Sequence, residues 1–319
     1  MNYKSILYFT GIYSLLVSVF SLLNILYSIY FDFIIGINSY LITLFISLFI
    51  GSLFCFLGRK NNKNISLIEQ IVSIMFSFIL LPCLISIPYF LSIYDVNLLN
   101  SYFEAASGFT TTGFSIIRNI DNIDKPLLLW RSSSQWIGGL VFLIATIGTI
   151  GSKQIKIKPA YLISGGASGR NFYNNFNYNF IKIGLIYFFS TIFVIFLYTL
   201  VDIRLLDAFN LAFTVVSAGG FIPESNLSEI IQTNAQIFIL SITLLLPLFN
   251  FFLIYDVITR QFSLKNYQED LHLAILVTLL ILLIYFFVIP NEGFPNVFFA
   301  IVSSISTSGP ITVNGPIFA

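Results

Sequence analysis

Tyr102-Phe103-Glu104-Ala105-Ala106-Ser107-Gly108-Phe109-Thr110-Thr111-Thr112-Gly113-Phe114 is the stretch whose reading decides the fold. It is half polar and ends in three threonines and a glycine, yet it lies between two segments apolar enough to span a bilayer. Backbone at bilayer depth must be hydrogen-bonded or must line a wet cavity, because hydrocarbon offers it no partner. The stretch therefore predicts a short helix that enters the membrane from one face and turns back at its hydroxyl-rich end.

The rest of the chain supports that setting. Of its 319 residues 57% are hydrophobic and 9% charged, and Phe alone contributes 36. A soluble domain carries about 25% charged residues. Apolar runs of about 20 residues recur along the chain, enough to span the hydrocarbon as helices. Barrel strands would be shorter and would alternate, so the predicted class is all-α integral membrane. The net charge of +1 points neither to nucleic acid nor to an acidic partner. Cys55 and Cys83 both fall inside apolar runs and read as small buried hydrophobes. The first apolar run lacks a small-residue cleavage site and is soon followed by another span, so it reads as retained.

In order, spans are expected over about 6–30, 40–57, 68–93 (interrupted by Pro82 and Pro88), 127–150, 183–201, 234–258 and 271–289. Half-polar segments lie at 102–114, 206–221 and 294–310, and a basic Gly/Asn-rich connector runs from Gly151 to Lys182. The excess of Lys and Arg on cytoplasmic loops tests this layout. With the N-terminus in the cytoplasm, Lys4, Arg59, Lys60, Lys63, Lys153, Lys156, Lys158, Arg170, Lys182, Arg260 and Lys265 lie inside, eleven of the 15 basic residues. Arg118, Lys125, Arg131 and Arg204 lie outside with most of the acids. The alternation supports seven spans plus three re-entrant segments, all three entering from the outer face of the cell membrane. An acid-rich outer face would concentrate cations there.

The half-polar segments repeat. Aligning Gly113 with Gly220 and Gly309, 107 and 89 residues apart, puts an aromatic at the start of each: Tyr102, Phe209, Phe298. A hydroxyl stands six residues before each glycine (Ser107, Thr214, Ser303) and another three before it (Thr110, Ser217, Ser306). The unit is span, short segment, span. A short helix that enters and turns back aims its last carbonyls and the negative end of its dipole at the membrane centre, which favours a cation. Extended residues after such a helix can offer carbonyl oxygens in place of a cation's water shell. Candidate ion-binding residues are therefore Thr110, Thr111, Thr112 and Gly113; Ser217, Ala218, Gly219 and Gly220; and Ser306, Thr307, Ser308 and Gly309. Glu104 reads as a hydrogen-bonding group behind the first of these. Arg131 reads either as a brace at the entrance or as an interfacial arginine. Serine, threonine and glycine also serve as helix-packing surfaces, but three segments in register on one side of the membrane favour the ion pathway.

These residues resemble the Trk/Ktr/HKT superfamily of potassium and sodium transporters. Phe103 to Gly113 is similar to that family's first selectivity filter, and Trp130-Arg131 with Gln135-Trp136-Ile137-Gly138-Gly139 to its signature in the next helix. Asn250-Phe251 with Tyr255, and Ser217-Ala218-Gly219-Gly220-Phe221, resemble further family patterns; Thr307-Ser308-Gly309 does so more weakly, because Pro310 follows. The resemblance implies helix–pore loop–helix units around a central ion pathway, after an N-terminal helix pair. The organisation expected is 1–64 for that pair, 65–160 for the first unit, 161–264 for the connector and second unit, and 265–319 for part of a third. It also implies potassium transport with no cofactor, a homodimer in lipid, and a cytosolic nucleotide-binding regulatory partner. Glycine at all three aligned positions resembles the potassium-selective members; a sodium-permeable member is the alternative.

The family has four repeats and this chain carries three filter segments, so the expectation is a truncated product, non-conducting by itself, or one completed by another chain. Ser164-Gly165-Gly166-Ala167-Ser168-Gly169-Arg170 lacks the Gly-Lys-Ser/Thr ending of a phosphate loop. His272 is the only histidine, which argues against a metal cluster and, with nearly all acids placed peripherally, against a membrane enzyme. Asn226-Leu227-Ser228 is an outward glycosylation sequon, meaningful only in a glycosylating host.

Overall fold

The computed structural model describes residues 3–33, 36–59, 67–93, 96–117, 120, 123–150, 176–249, 253, 267–288 and 293–306. Their regular structure is helical. The helices are α1 (Tyr3–Tyr30), α2 (Ile37–Gly58), α3 (Leu67–Ser92), α4 (Leu98–Phe109), α5 (Lys125–Ile150), α6 (Phe176–Leu200), α7 (Leu205–Ser217), α8 (Asn234–Leu244), α9 (Gln268–Leu283) and α10 (Phe294–Ile305). Among the described residues six of them, α1, α2, α3, α5, α6 and α9, are long and apolar enough to cross a membrane. The chain is thus a multi-pass membrane protein. It divides into two compact units, Met1–Thr149 and Ile150–Ala319.

In the first unit α1 and α2 pack closely because glycine lets them. A Cβ on Gly11 would stand 2.8 Å from the Cys55 backbone nitrogen, and one on Gly58 would stand 2.5 Å from the Lys4 carbonyl oxygen. Without a hydrophobic drive between helices in lipid, such close backbone approach is what holds them. The buried face of α1 mixes apolar side chains with polar ones, among them Thr10, Ser14, Ser21, Asn24 and Ser28. Its hydroxyls are satisfied locally: Thr10 donates to the Ile6 carbonyl at 2.9 Å and Ser14 to that of Thr10 at 3.0 Å. Ser21 instead crosses to α2 and donates to the Tyr40 carbonyl at 2.6 Å.

Helix α3 runs unbroken through Pro82 and Pro88. The expected interruption is absent because a membrane helix can keep a proline when neighbours satisfy the freed backbone groups. Between the two prolines α3 is tied to α5: buried Trp130 donates its indole N–H to the Ile85 carbonyl at 3.0 Å. The Trp130 ring meets Tyr40 edge-on at 5.8 Å, and Trp136 lies 5.0 Å from Phe20.

In the second unit α7 and α10 contribute to one apolar core with α6 and α8, through Tyr198, Leu211, Val215, Leu240, Val297 and Val302. Tyr198 and Thr243 share a buried hydroxyl–hydroxyl bond of 2.7 Å between α6 and α8. The start of α8 carries a capping box between Thr233 and Gln236. The expected span over 234–258 begins as α8 but closes after 11 residues in a 3₁₀ turn, Leu246–Leu248, containing Pro247, with Phe249 extended. Proline has no N–H for the α-helical ladder, which accounts for the change at that point. Asn250, Phe251, Tyr255, Arg260 and Lys265 lie outside the described residues, as do Lys60, Lys63, Arg118, Asp121 and the connector segment 151–175. Helix α9 passes into a π-helical stretch, Ile284–Val288, and His272 sits exposed in its second turn.

Candidate functional site

The three half-polar segments form the short helices α4, α7 and α10. They begin at Leu98, Leu205 and Phe294, 107 and 89 residues apart, the same separations that relate Gly113, Gly220 and Gly309. The three entrances differ in their chemistry. Asn97 accepts from the Asn100 amide in α4, at 2.8 Å. In α7 Arg204 precedes an acidic first turn and donates to buried Asp207 at 2.7 Å. A proline at its start opens α10, where the missing N–H is no loss.

The exits of α4 and α7 share two backbone bonds. Thr111 donates its amide to the Gly108 carbonyl at 2.9 Å, and Thr112 donates to Ser107 at 3.0 Å. Shifted by 107 residues, Ala218 donates to Val215 at 3.1 Å and Gly219 to Thr214 at 2.9 Å. This is the Schellman pattern, which needs a left-handed residue at the turn. Thr111 and Ala218 supply it with φ of 55° and 56°. Non-glycine residues rarely adopt that conformation, at a cost of about 1–3 kcal/mol, and persist there when the surroundings over-determine it. Gly113 and Gly220 follow at φ of 79° and 81°, where a glycine is the residue without penalty.

The hydroxyl three residues before the glycine turns back onto its helix in all three copies. Thr110 Oγ1 donates to the Ala106 carbonyl at 2.8 Å, Ser217 Oγ to Phe213 at 2.8 Å, and Ser306 Oγ to Ser303 at 3.2 Å. These hydroxyls tie back the helix ends. The backbone bond from Ser306 to Val302, 2.9 Å, copies that from Thr110 to Ala106, 2.8 Å. Thr307, Ser308 and Gly309 lie outside the described residues.

Behind the first turn is a buried charge cluster. Arg131 Nε donates to Glu104 Oε1 at 3.1 Å, and the two side chains are 2% and 1% exposed. Ser115 Oγ donates to the same carboxylate at 2.9 Å, the Ile116 amide donates to its other oxygen at 3.0 Å, and Arg131 Nη2 donates to Ser115 Oγ at 3.1 Å. Glu104 thus ties the chain after Gly113 to both α4 and α5. Ser115 was not among the residues picked out by sequence; its only signal there was a hydroxyl two residues past the glycine. Gly138 is a second contact missed as such. A Cβ there would overlap the carbonyl group of Phe109, the last residue of α4. The end of α4 is therefore seated directly on α5 at Gly138.

Six helices long enough to span, with short helices that end in matching turns between them, define a class: polytopic helical membrane proteins. Comparison with known proteins narrows it. No family model matches the chain. It is 27% identical to an uncharacterized cation transporter of Methanocaldococcus jannaschii over 98% of this chain and 64% of that protein. It is 22% identical to the Trk system potassium uptake protein TrkH of Salmonella typhimurium over 84% of this chain and 58% of the other. The crystal structure of the potassium transporter TrkH from Vibrio parahaemolyticus matches with a TM-score of 0.78 at 22% identity, over 99% of this chain and 66% of that one. The resemblance to the Trk/Ktr/HKT superfamily is borne out in sequence and in fold. The chain spans under two thirds of the length of these relatives.

Proposed function

We propose that the chain is a membrane subunit for potassium transport across the cell membrane, with no enzymatic step. Its cation ligands are the backbone carbonyls of Thr110–Gly113, Ser217–Gly220 and Ser306–Gly309. The observation that carries the reading is the exit shared by α4 and α7: the same two amide–carbonyl bonds, a left-handed residue, then a glycine at positive φ. A packing surface needs small residues, but it does not need two such turns in register. Relatives named as cation and potassium transporters support the ion. The organisation into 1–64, 65–160, 161–264 and 265–319, an N-terminus in the cytoplasm, a homodimer and a cytosolic nucleotide-binding partner belong to the same proposal, on the superfamily resemblance.

Gly113→Ala and Gly220→Ala test it. Each puts a Cβ at φ near 80° and costs about 1–2 kcal/mol of local strain, enough to move the carbonyls while the helices stay packed. In a potassium-uptake-deficient host, expressed with whatever completes the transporter there, both variants are expected in the membrane at wild-type amounts with uptake reduced at least roughly tenfold. Unchanged uptake in both would refute the filter.

A further inference from the structure

The two turns share two backbone bonds, a left-handed residue and a glycine at positive φ, and part company one residue later. Phe114 is 69% exposed, whereas its counterpart Phe221 is 2% exposed and buried. In the second unit Thr214 Oγ1, in α7, donates to the Phe221 carbonyl oxygen at 2.7 Å. The aligned hydroxyl in the first unit, Ser107 Oγ, is buried and has no hydrogen-bond partner among the described residues. There the chain past the glycine is held from its other side, by Glu104 through Ser115 and the Ile116 amide.

We propose that Thr214 is a positioning residue for the second filter segment: its hydroxyl turns the Phe221 carbonyl back onto α7 and withholds it from a passing cation. The inference rests on reading these segments as a filter and adds what differs between them. The first segment is held by charge at a side chain and an amide, which leaves its carbonyls unengaged by the brace. The second is held by a neutral hydroxyl on the carbonyl itself. The outer end of the ligand set is then unequal, with the carbonyl after Gly220 removed by design of the sequence. With the Thr214 hydroxyl gone, that carbonyl has one partner fewer and can turn outward to add a ligand, which alters the coordination number that discriminates one alkali cation from another.

Thr214→Val removes the hydroxyl at nearly constant shape and Thr214→Ser keeps it. Two readouts test the proposal: the thermal midpoint of purified protein in detergent across matched titrations of KCl, NaCl and choline chloride, and rubidium against sodium uptake in the potassium-uptake-deficient host, expressed with whatever completes the transporter there. Wild type and Thr214→Ser are expected to prefer potassium over sodium. Thr214→Val is expected to lose that preference by up to roughly tenfold, the worth of one hydrogen bond to a carbonyl, at an unchanged midpoint in choline. A Thr214→Val preference equal to wild type overturns the proposal, and so does a Thr214→Ser that behaves as Thr214→Val. Should Thr214→Val fail to fold, Thr214→Ala carries the same expectation without the branched side chain; failure of both to fold makes the bond purely structural and also overturns it. A wild type without cation preference in either readout, with Gly220→Ala indistinguishable from it, overturns the filter reading itself. A selective wild type with an unaffected Thr214→Val overturns only the role of Thr214.

Discussion

Glu104 and Arg131 are each tolerable where they lie only because of the other. A buried ion pair adds little net stability, since desolvation offsets the attraction, but removing one partner leaves an uncompensated charge and costs about 3–5 kcal/mol. Glu104 carries more than a charge: it accepts from Ser115, Ile116 and Arg131 together. Glu104→Gln and Arg131→Met are each expected to lower the thermal midpoint sharply in detergent. The double variant is expected to recover part of that loss, because no lone charge remains buried. Measured as a double-mutant cycle, a coupling near zero would refute the pairing. The pair was half legible in the sequence. An acid inside a short membrane segment invites a partner, and Arg131 was the basic residue near it. Ser115, which joins the two, lies in an extended stretch with no periodicity to place it.

At the scale of the elements, α4 and α5 meet through a glycine rather than through side chains. Gly138→Ala would drive a methyl into the Phe109 carbonyl. Overpacking against backbone is expected to cost about 3 kcal/mol, the upper end of its usual range, because a helix end cannot rotate away as a side chain can. Gly184 of α6 is the control: a Cβ there meets nothing within 4 Å. Gly184→Ala is expected to be neutral or to stabilise by up to about 1 kcal/mol through helix propensity. Thermal melting of the two variants side by side checks both; a harmless Gly138→Ala would mean that α4 does not sit on α5. The short helices themselves were legible, since hydroxyl columns and glycines repeat at one spacing and carry a turn chemistry with them. The continuity of α3 through Pro82 and Pro88 was not, because it depends on surroundings that no local rule announces. Nor was the early close of α8, where Pro247 outweighed an apolar run that looked continuous.

For the molecule as a whole, hydropathy located the membrane helices, since lipid leaves few other solutions. Six helices among the described residues are long enough to cross. The proposed sidedness puts the loop after Gly220 outside and the start of α1 inside. With Cys55 and Cys83 replaced by alanine, a membrane-impermeant maleimide added to intact cells is expected to label Ser225→Cys and to spare Tyr3→Cys until the membrane is opened. Both positions are exposed on the protein, so the reverse pattern would invert the topology. What the sequence left dark at this scale is how the two units differ inside. The first rests its re-entrant segment on a charge pair, and the second on a hydroxyl and an apolar core. That difference turns on side chains 27 residues apart in one case and 7 in the other, and spacing alone does not link them.

The Glu104–Arg131 pair also has a consequence for how the protein is made. Synthesis runs from the N-terminus, so the carboxylate leaves the ribosome 27 residues ahead of its guanidinium. In that interval a settled α4 would hold an unpartnered acid at membrane depth, at a cost of several kcal/mol. The acid must wait in the aqueous lumen of the insertion machinery until α5 follows. Re-entrant segment and following span are therefore inserted as one cargo, and a nascent chain stalled between residues 104 and 131 would still have that segment outside the bilayer.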